Sequence, residues 1–213
     1  MTIWAIFSDV HGRADRLARV LDEANSLGAE RYLSLGDVGG EHALSQLTAT
    51  PTDCVFGNWE ASGLRGLSAQ LRHAVNYWQP SFRADGFCAA HASPVWPSGL
   101  EIAAVVSYLR DHQLAWQALF PSLHNSEAAR CAAFEALTTH RTALFFHGHT
   151  HVQEIWQQVA DAPFSQLAQR DFVLSPGSRY LVGVGSVGQP RDTTRSGYCL
   201  YDSEAGRVRL VVA

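Results

Sequence analysis

The chain has 213 residues, 46% of them hydrophobic and 17% charged, with a formal net charge of −4. That size and apolar content suit one domain spanning 1–213 with a sizeable core, and the slight acidity argues against a protein that tracks a nucleic-acid backbone, which needs a basic excess. No apolar run approaches the roughly 20 residues of a membrane span, no signal-peptide pattern opens the chain, and Cys54, Cys88, Cys131 and Cys199 lie far apart, so the expectation is a cytoplasmic protein with reduced thiols and no membrane partner.

The first strand-like run, Ile6 and Phe7, stops at Ser8-Asp9-Val10-His11-Gly12. Alternation along a strand points residues i and i+2 the same way, which would let Asp9 and His11 approach one cation. A carboxylate beside an imidazole suits Mn, Fe or Zn better than Ca or Mg; by itself the pair also reads as ordinary loop polarity. Leu17, Val20, Leu21 and Ala24 then fall at helical spacing, and Gly28 is placed to end that helix in the left-handed conformation. A second strand over 31–35 runs into Gly36-Asp37-Val38-Gly39-Gly40, and a third over 54–56 ends in Gly57-Asn58-Trp59-Glu60, with a short helix at Ala43, Leu44 and Leu47 between them. Three β units that each end in a turn bearing a polar residue predict ligands gathered along the carboxyl edge of a sheet.

Over 82–88, Asp85-Gly86 between two β-prone runs signals a hairpin whose second strand would end at His91. Pro94 and Pro97 then break regular structure, and roughly 99–140 reads as helical, with Ile102, Val105, Val106 and Leu109 on one face and Asn125 or Ser126 as an N-cap. This stretch is an inserted cap or an extended crossover. Its Trp116 and Phe120 suit either core packing or a stacking platform. A buried strand over 142–146 delivers His147-Gly148-His149-Thr150-His151; runs over 152–159, 172–174, 180–184, 198–201 and 208–212 make the C-terminal third β-rich.

Taken together, Asp9-x-His11, Gly36-Asp37, Gly57-Asn58, His91 and Gly148-His149-x-His151 resemble the calcineurin-like metallophosphoesterase superfamily, in particular its small bacterial and archaeal phosphodiesterase branch. The resemblance implies an α/β fold, a four-layer sandwich of two packed mixed β-sheets flanked by helices. It implies two divalent metal ions, one held by Asp9, His11, Asp37 and His151, the other by Asp37, Asn58, His91 and His149, with Asp37 as the bridge and Asp37, Asn58 and His91 serving catalysis. It further implies hydrolysis of phosphodiesters or nucleotide polyphosphates by attack of a metal-bridging hydroxide, so the partner is a small phosphorylated substrate, nucleotides included. His91 departs from the family's usual His-Gly setting, and a core or loop histidine is its alternative. His147 reads as packing behind the ligands. Gly183-Val184-Gly185-Ser186-Val187-Gly188-Gln189-Pro190-Arg191 resembles a family loop in which Ser186 and Arg191 either contact the phosphate or form a turn beneath the metals; Arg13, Arg179 and Arg195 are weaker candidates of the same kind.

Trp59 stands where many relatives carry a proton-donating histidine. An indole donates a hydrogen bond but is no acid, so leaving groups that bear their own charge are favoured; Trp59 would adjoin the substrate, and Glu60 keeps the acidic position after it. The alternatives are a phosphomonoesterase, including a protein-phosphatase-like enzyme, or a non-catalytic protein-binding scaffold of the same fold. The complete ligand set argues against the scaffold, because buried ligands without a metal are costly.

Overall fold

In the computed structural model of the chain, which describes residues 2–64, 66–84 and 86–213, β1 (Ile3–Phe7) sends Ala5 and Phe7 into one core and Trp4 and Ile6 into another. A strand buried on both faces reads as an apolar run, as β1 does, and it must lie between two layers. On one side Ala5 and Phe7 meet α1 (Ala14–Ser26), α2 (Glu41–Thr48) and α4 (Ala69–Val75) through Leu17, Val20, Leu44, Leu71 and Val75. On the other, Trp4 and Ile6 meet Phe87, Phe146, Tyr180 and Val182 of a second sheet.

The first sheet runs in the order β3 (Thr52–Cys54), β2 (Arg31–Ser34), β1, β11 (Gly197–Asp202), β12 (Arg207–Val212), β9 (Asp171–Val173). Its first three strands are parallel and the remaining pairings antiparallel. The second runs β4 (Ser81–Ala84), β5 (Phe87–Ala90), β6 (Leu144–His147), β10 (Ser178–Val184), β7 (Gln153–Val159), β8 (Ser165–Gln166), with β5, β6 and β10 parallel. Helix α6 (Glu127–Thr139) covers the outer face of this sheet, packing Ala133, Phe134 and Leu137 on Cys88, Ala90, Phe145 and Leu181. The layers are therefore helix, sheet, sheet, helix, as the resemblance implied.

Helix α1 is followed by Gly28 at φ +86°, the left-handed stop expected of it. Strands β4 and β5 pair antiparallel; Asp85 of the expected turn lies outside the described residues. Because β5 and β6 are parallel neighbours, the chain between them must cross over. That stretch is not continuously helical. It holds a short turn of helix at Ile102–Ala104, α5 (Val105–Asp111), a second short turn at Trp116–Ala118 and then α6, with irregular backbone over 112–115 and 119–126. Gln113, at φ +54°, and Pro121 account for the breaks. Its first half joins the α1 and α2 side of the core through Ile102, Val105, Leu109 and Phe120, while α6 packs on the second sheet.

Candidate metal centre

The ends of β1, β2, β3, β5 and β6 all open at one edge of the sandwich, and the turns beyond them carry the candidate ligands. Strand alternation is not what aims Asp9 and His11, because β1 ends at Phe7. Instead Asp9, His11, Asp37, His149 and His151 all adopt left-handed backbone, at φ +54°, +47°, +52°, +63° and +62°. Such conformations cost about 1–2 kcal/mol each in a non-glycine residue and persist only where the surroundings fix them. Here the turns fix one another. Asp9 N–H donates to Gly36 O and His11 N–H to Asp37 O, both at 3.0 Å, and His149 N–H donates to Asp9 Oδ2 at 2.8 Å. Glycine permits the contact: a Cβ on Gly36 would strike the backbone of Gly57, and one on Gly148 would strike the Ser8 side chain.

Two groups of donors converge. His151 Nε2 lies 3.2 Å and His11 Nε2 3.7 Å from Asp9 Oδ1, and the two Nε2 atoms are 3.2 Å apart. His151 Nδ1 is 2.7 Å from Gln189 O, so it carries the proton and leaves Nε2 as a lone-pair donor. In the other group His91 Nε2 is 3.6 Å from Asp37 Oδ2 and 3.1 Å from Asn58 Oδ1, while His91 Nδ1 donates to Leu35 O at 2.8 Å. The His149 ring stands 5.1 Å from that of His91. All seven residues are thus brought to one place. Asp9 belongs to both donor groups, whereas Asp37 belongs to one; Asp37 Oδ1 accepts the Trp59 N–H at 2.7 Å. Asp9 Oδ1 is buried without a hydrogen-bond partner. A carboxylate oxygen and two imidazole nitrogens that face one another form a donor set that fits a divalent cation of the Mn, Fe or Zn kind.

Charge follows this packing. Burial pushes the Asp9 carboxyl up, but the imidazoles of His11 and His151 that face it, with His91 beyond, together hold it well below the usual range. Burial also opposes charging of His91 and His151, yet the carboxylates around them leave both raised. His149, desolvated and beside His91, falls to about 4. It is a neutral donor at neutral pH.

Glu60 has a larger part than the sequence suggested. It is buried, on the short helix α3 (Asn58–Ala61), and its carboxylate accepts three backbone N–H groups: Gly57 at 2.8 Å and Asp37 at 2.9 Å through Oε2, and Val38 at 2.8 Å through Oε1. It ties two ligand turns together, and so it is not available to orient a side chain at position 59. The signal was present in the sequence, since an acidic residue three positions after the residue preceding a helix reaches back to that residue's N–H.

The expected substrate contacts fall in different places. Arg191 is exposed beside His151, and its backbone N–H donates to His151 O at 3.0 Å. Ser186 is fully buried; its hydroxyl donates to Asp9 O and accepts from Gln189 N–H, both at 2.8 Å. Both of these bonds hold the turn beneath Asp9, the second of the two readings that the sequence left open for this residue. Trp59 is half-buried against the core that α1 and α4 share. Arg13 pairs with Asp15, Arg179 donates to Ala160 O and Arg195 to Ala213 O. His147 is buried with its Nδ1 3.1 Å from Gly148 O. Phe120, read from the sequence as either core packing or a stacking platform, packs its ring 6.0 Å from His91 and 6.3 Å from His149.

Residues 1–206 match the calcineurin-like phosphoesterase superfamily domain. The chain belongs to that superfamily. It is therefore a metallophosphoesterase by family, a class that hydrolyses phosphoric esters with bound metal. An uncharacterized protein of Methanocaldococcus jannaschii is 22% identical over 97% of this chain and 85% of its own length. Among solved structures, a metallophosphoesterase from Sphaerobacter thermophilus superposes with a TM-score of 0.71 at 21% identity, covering 100% of this chain and 88% of that one. An archaeal phosphodiesterase superposes with a TM-score of 0.55 at 13% identity, covering 100% of both. At these identities the likeness is one of fold. Among the described residues no helix is long and apolar enough to cross a membrane.

Proposed function

We propose that this metallophosphoesterase hydrolyses phosphodiesters or nucleotide polyphosphates with two divalent cations, Mn, Fe or Zn. One is held by Asp9, His11, Asp37 and His151, the other by Asp37, Asn58, His91 and His149. The observation that carries this reading is the unpartnered Asp9 Oδ1, buried and facing two imidazole nitrogens at 3.2 and 3.7 Å. When bound, such a pair of cations lowers the pKa of a water and draws off charge from the phosphoryl oxygens. The chain's own residues set the geometry. His91 and His151 each give their Nδ1 proton to a carbonyl, which holds Nε2 toward the centre. Arg191, exposed beside His151, presents a planar fork suited to a phosphate. Trp59 supplies no proton, so aryl esters and phosphoanhydrides are the favoured substrates. Four free cysteines fit a reducing, cytoplasmic setting.

The test is a panel with added Mn: an aryl phosphodiester, a dinucleoside polyphosphate and an aryl monoester, alongside metal analysis of the purified protein. The reading expects two metal equivalents and faster turnover of the first two substrates. A faster monoester would favour a phosphomonoesterase, and a protein that bound no metal and cleaved nothing would favour a scaffold.

A further inference from the structure

We infer that Trp116, backed by the buried Phe120 ring, forms an aromatic shelf beside the metal centre that receives a planar ring carried by the phosphoester, so that Trp116 sets a preference for substrates bearing a nucleobase or aryl group. This rests on the phosphoesterase reading above. Phe120 is 3% exposed and its ring packs on two candidate ligands, His91 and His149, with centroids 6.0 and 6.3 Å away. Trp96 closes one flank of Phe120 at 5.6 Å. On another flank lies the Trp116 ring, 5.7 Å from Phe120, tilted by 32° and 36% exposed. An aromatic surface therefore begins against the ligands and reaches water in a single ring step.

Two features separate this arrangement from plain core packing. Phe120 fills the buried position and the half-buried Trp96 covers it from one side, so burial does not require Trp116, and the neighbouring Leu114 is 41% exposed as well. The centre is also polarised: Arg191 stands exposed at its His151 side, while the rings stand at its His91 and His149 side. An ester with an anionic phosphoryl group at one end and a flat apolar ring at the other matches both. Ring stacking of this kind is sequence-tolerant, since every base offers a π-face, and it changes affinity by about tenfold.

The experiment is calorimetry on the Mn-loaded full chain with thymidine 5′-monophosphate, phenyl phosphate and methyl phosphate as probes. Thymidine monophosphate is expected to bind about tenfold tighter than methyl phosphate. Trp116→Ala should remove that difference, and so should Trp116→Leu, which keeps apolar bulk without a ring face; Trp116→Phe should keep most of it. Phenyl phosphate binding like the nucleotide assigns the shelf to aryl rings in general, and binding like methyl phosphate confines it to nucleobases. Equal affinities in the wild type, or a difference that survives in both the Ala and the Leu variant, would overturn the shelf. The two ideas fail separately. Intact discrimination with no turnover of any ester would sink the hydrolase reading and leave the shelf standing, whereas turnover without discrimination would sink the shelf alone.

Discussion

The two flanks of the metal centre are built from the same residue types and differ in their access to water. The His91 side chain is 1% exposed and is walled in by Phe120, itself packed on Trp96, which in turn packs on Phe56. The His11 side chain is 19% exposed and has Arg191 on the same side of the centre, next to His151. The dry flank can hold its donors only if the fold supplies every partner, and it does so through Leu35 O, Asn58 and the Glu60 staple. The wet flank leaves the His11 ring partly open to water. His91 should therefore report on stability as well as metal, and His11 on metal alone.

The largest effect is expected at the two buried carboxylates of the centre, Asp9 and Asp37. Asp37→Asn and Asp9→Asn should each reduce turnover by roughly 10³-fold or more, since an amide neutralises no charge between two cations. Metal analysis sharpens the comparison: loss of both metals in Asp9→Asn but of one in Asp37→Asn would give the bridging position to Asp9, as the donor groups suggest. Near wild-type turnover with full metal in both variants would remove the dinuclear reading.

Next comes the staple of the dry flank. Glu60→Ala leaves three buried N–H groups unpaired and should lower unfolding free energy by about 3 kcal/mol in a denaturant melt. His91→Ala should cost about 2 kcal/mol through its cavity and the orphaned Leu35 carbonyl. His11→Ala should stay within about 0.5 kcal/mol, as a partly exposed site does, while still losing metal. Equal destabilisation by the two histidine variants would break the distinction between the flanks.

A smaller, measurable consequence follows from charge. His91 and His151 titrate above the ordinary histidine value, so the stability that their protonation gives the metal-free protein is full below the unfolded value and is lost as pH rises through the raised ones. Metal must displace those protons, and apparent metal affinity should rise with pH across the same window. Proton release on Mn binding, read by calorimetry in buffers of different ionisation enthalpy, should be seen near pH 6.5. His149, at about 4, should contribute none of it.

The smallest effect belongs to Trp59→His. Glu60 already spends both oxygens on backbone N–H groups, so an imidazole at 59 finds no carboxylate to orient it. Alkyl esters should gain less than about threefold, far short of the 10²–10⁴ of a positioned acid. A gain of a hundredfold would show that a proton donor at this place needs no such partner.

The order of the fold and the ligand types could be read from the residues themselves. Apolar runs that stop at Asp9, Asp37, Asn58 and His149 place these residues at strand ends, because hydrophobic periodicity and glycine punctuation are local properties of a chain. The left-handed backbone at five ligands, the bond from the Ser186 hydroxyl to Asp9 O, the reach of Glu60 to the Asp37 and Val38 N–H groups and the packing of Phe120 on His91 were not legible in this way. Each depends on a partner 20 or more residues away. Aspartate and histidine carry no local preference strong enough to specify φ above zero; interlocking turns impose it. The sequence by itself therefore determined which donors would meet at one sheet edge. Only the tertiary structure decided how they are aimed and which flank stays dry, since both follow from contacts between turns that no local pattern encodes.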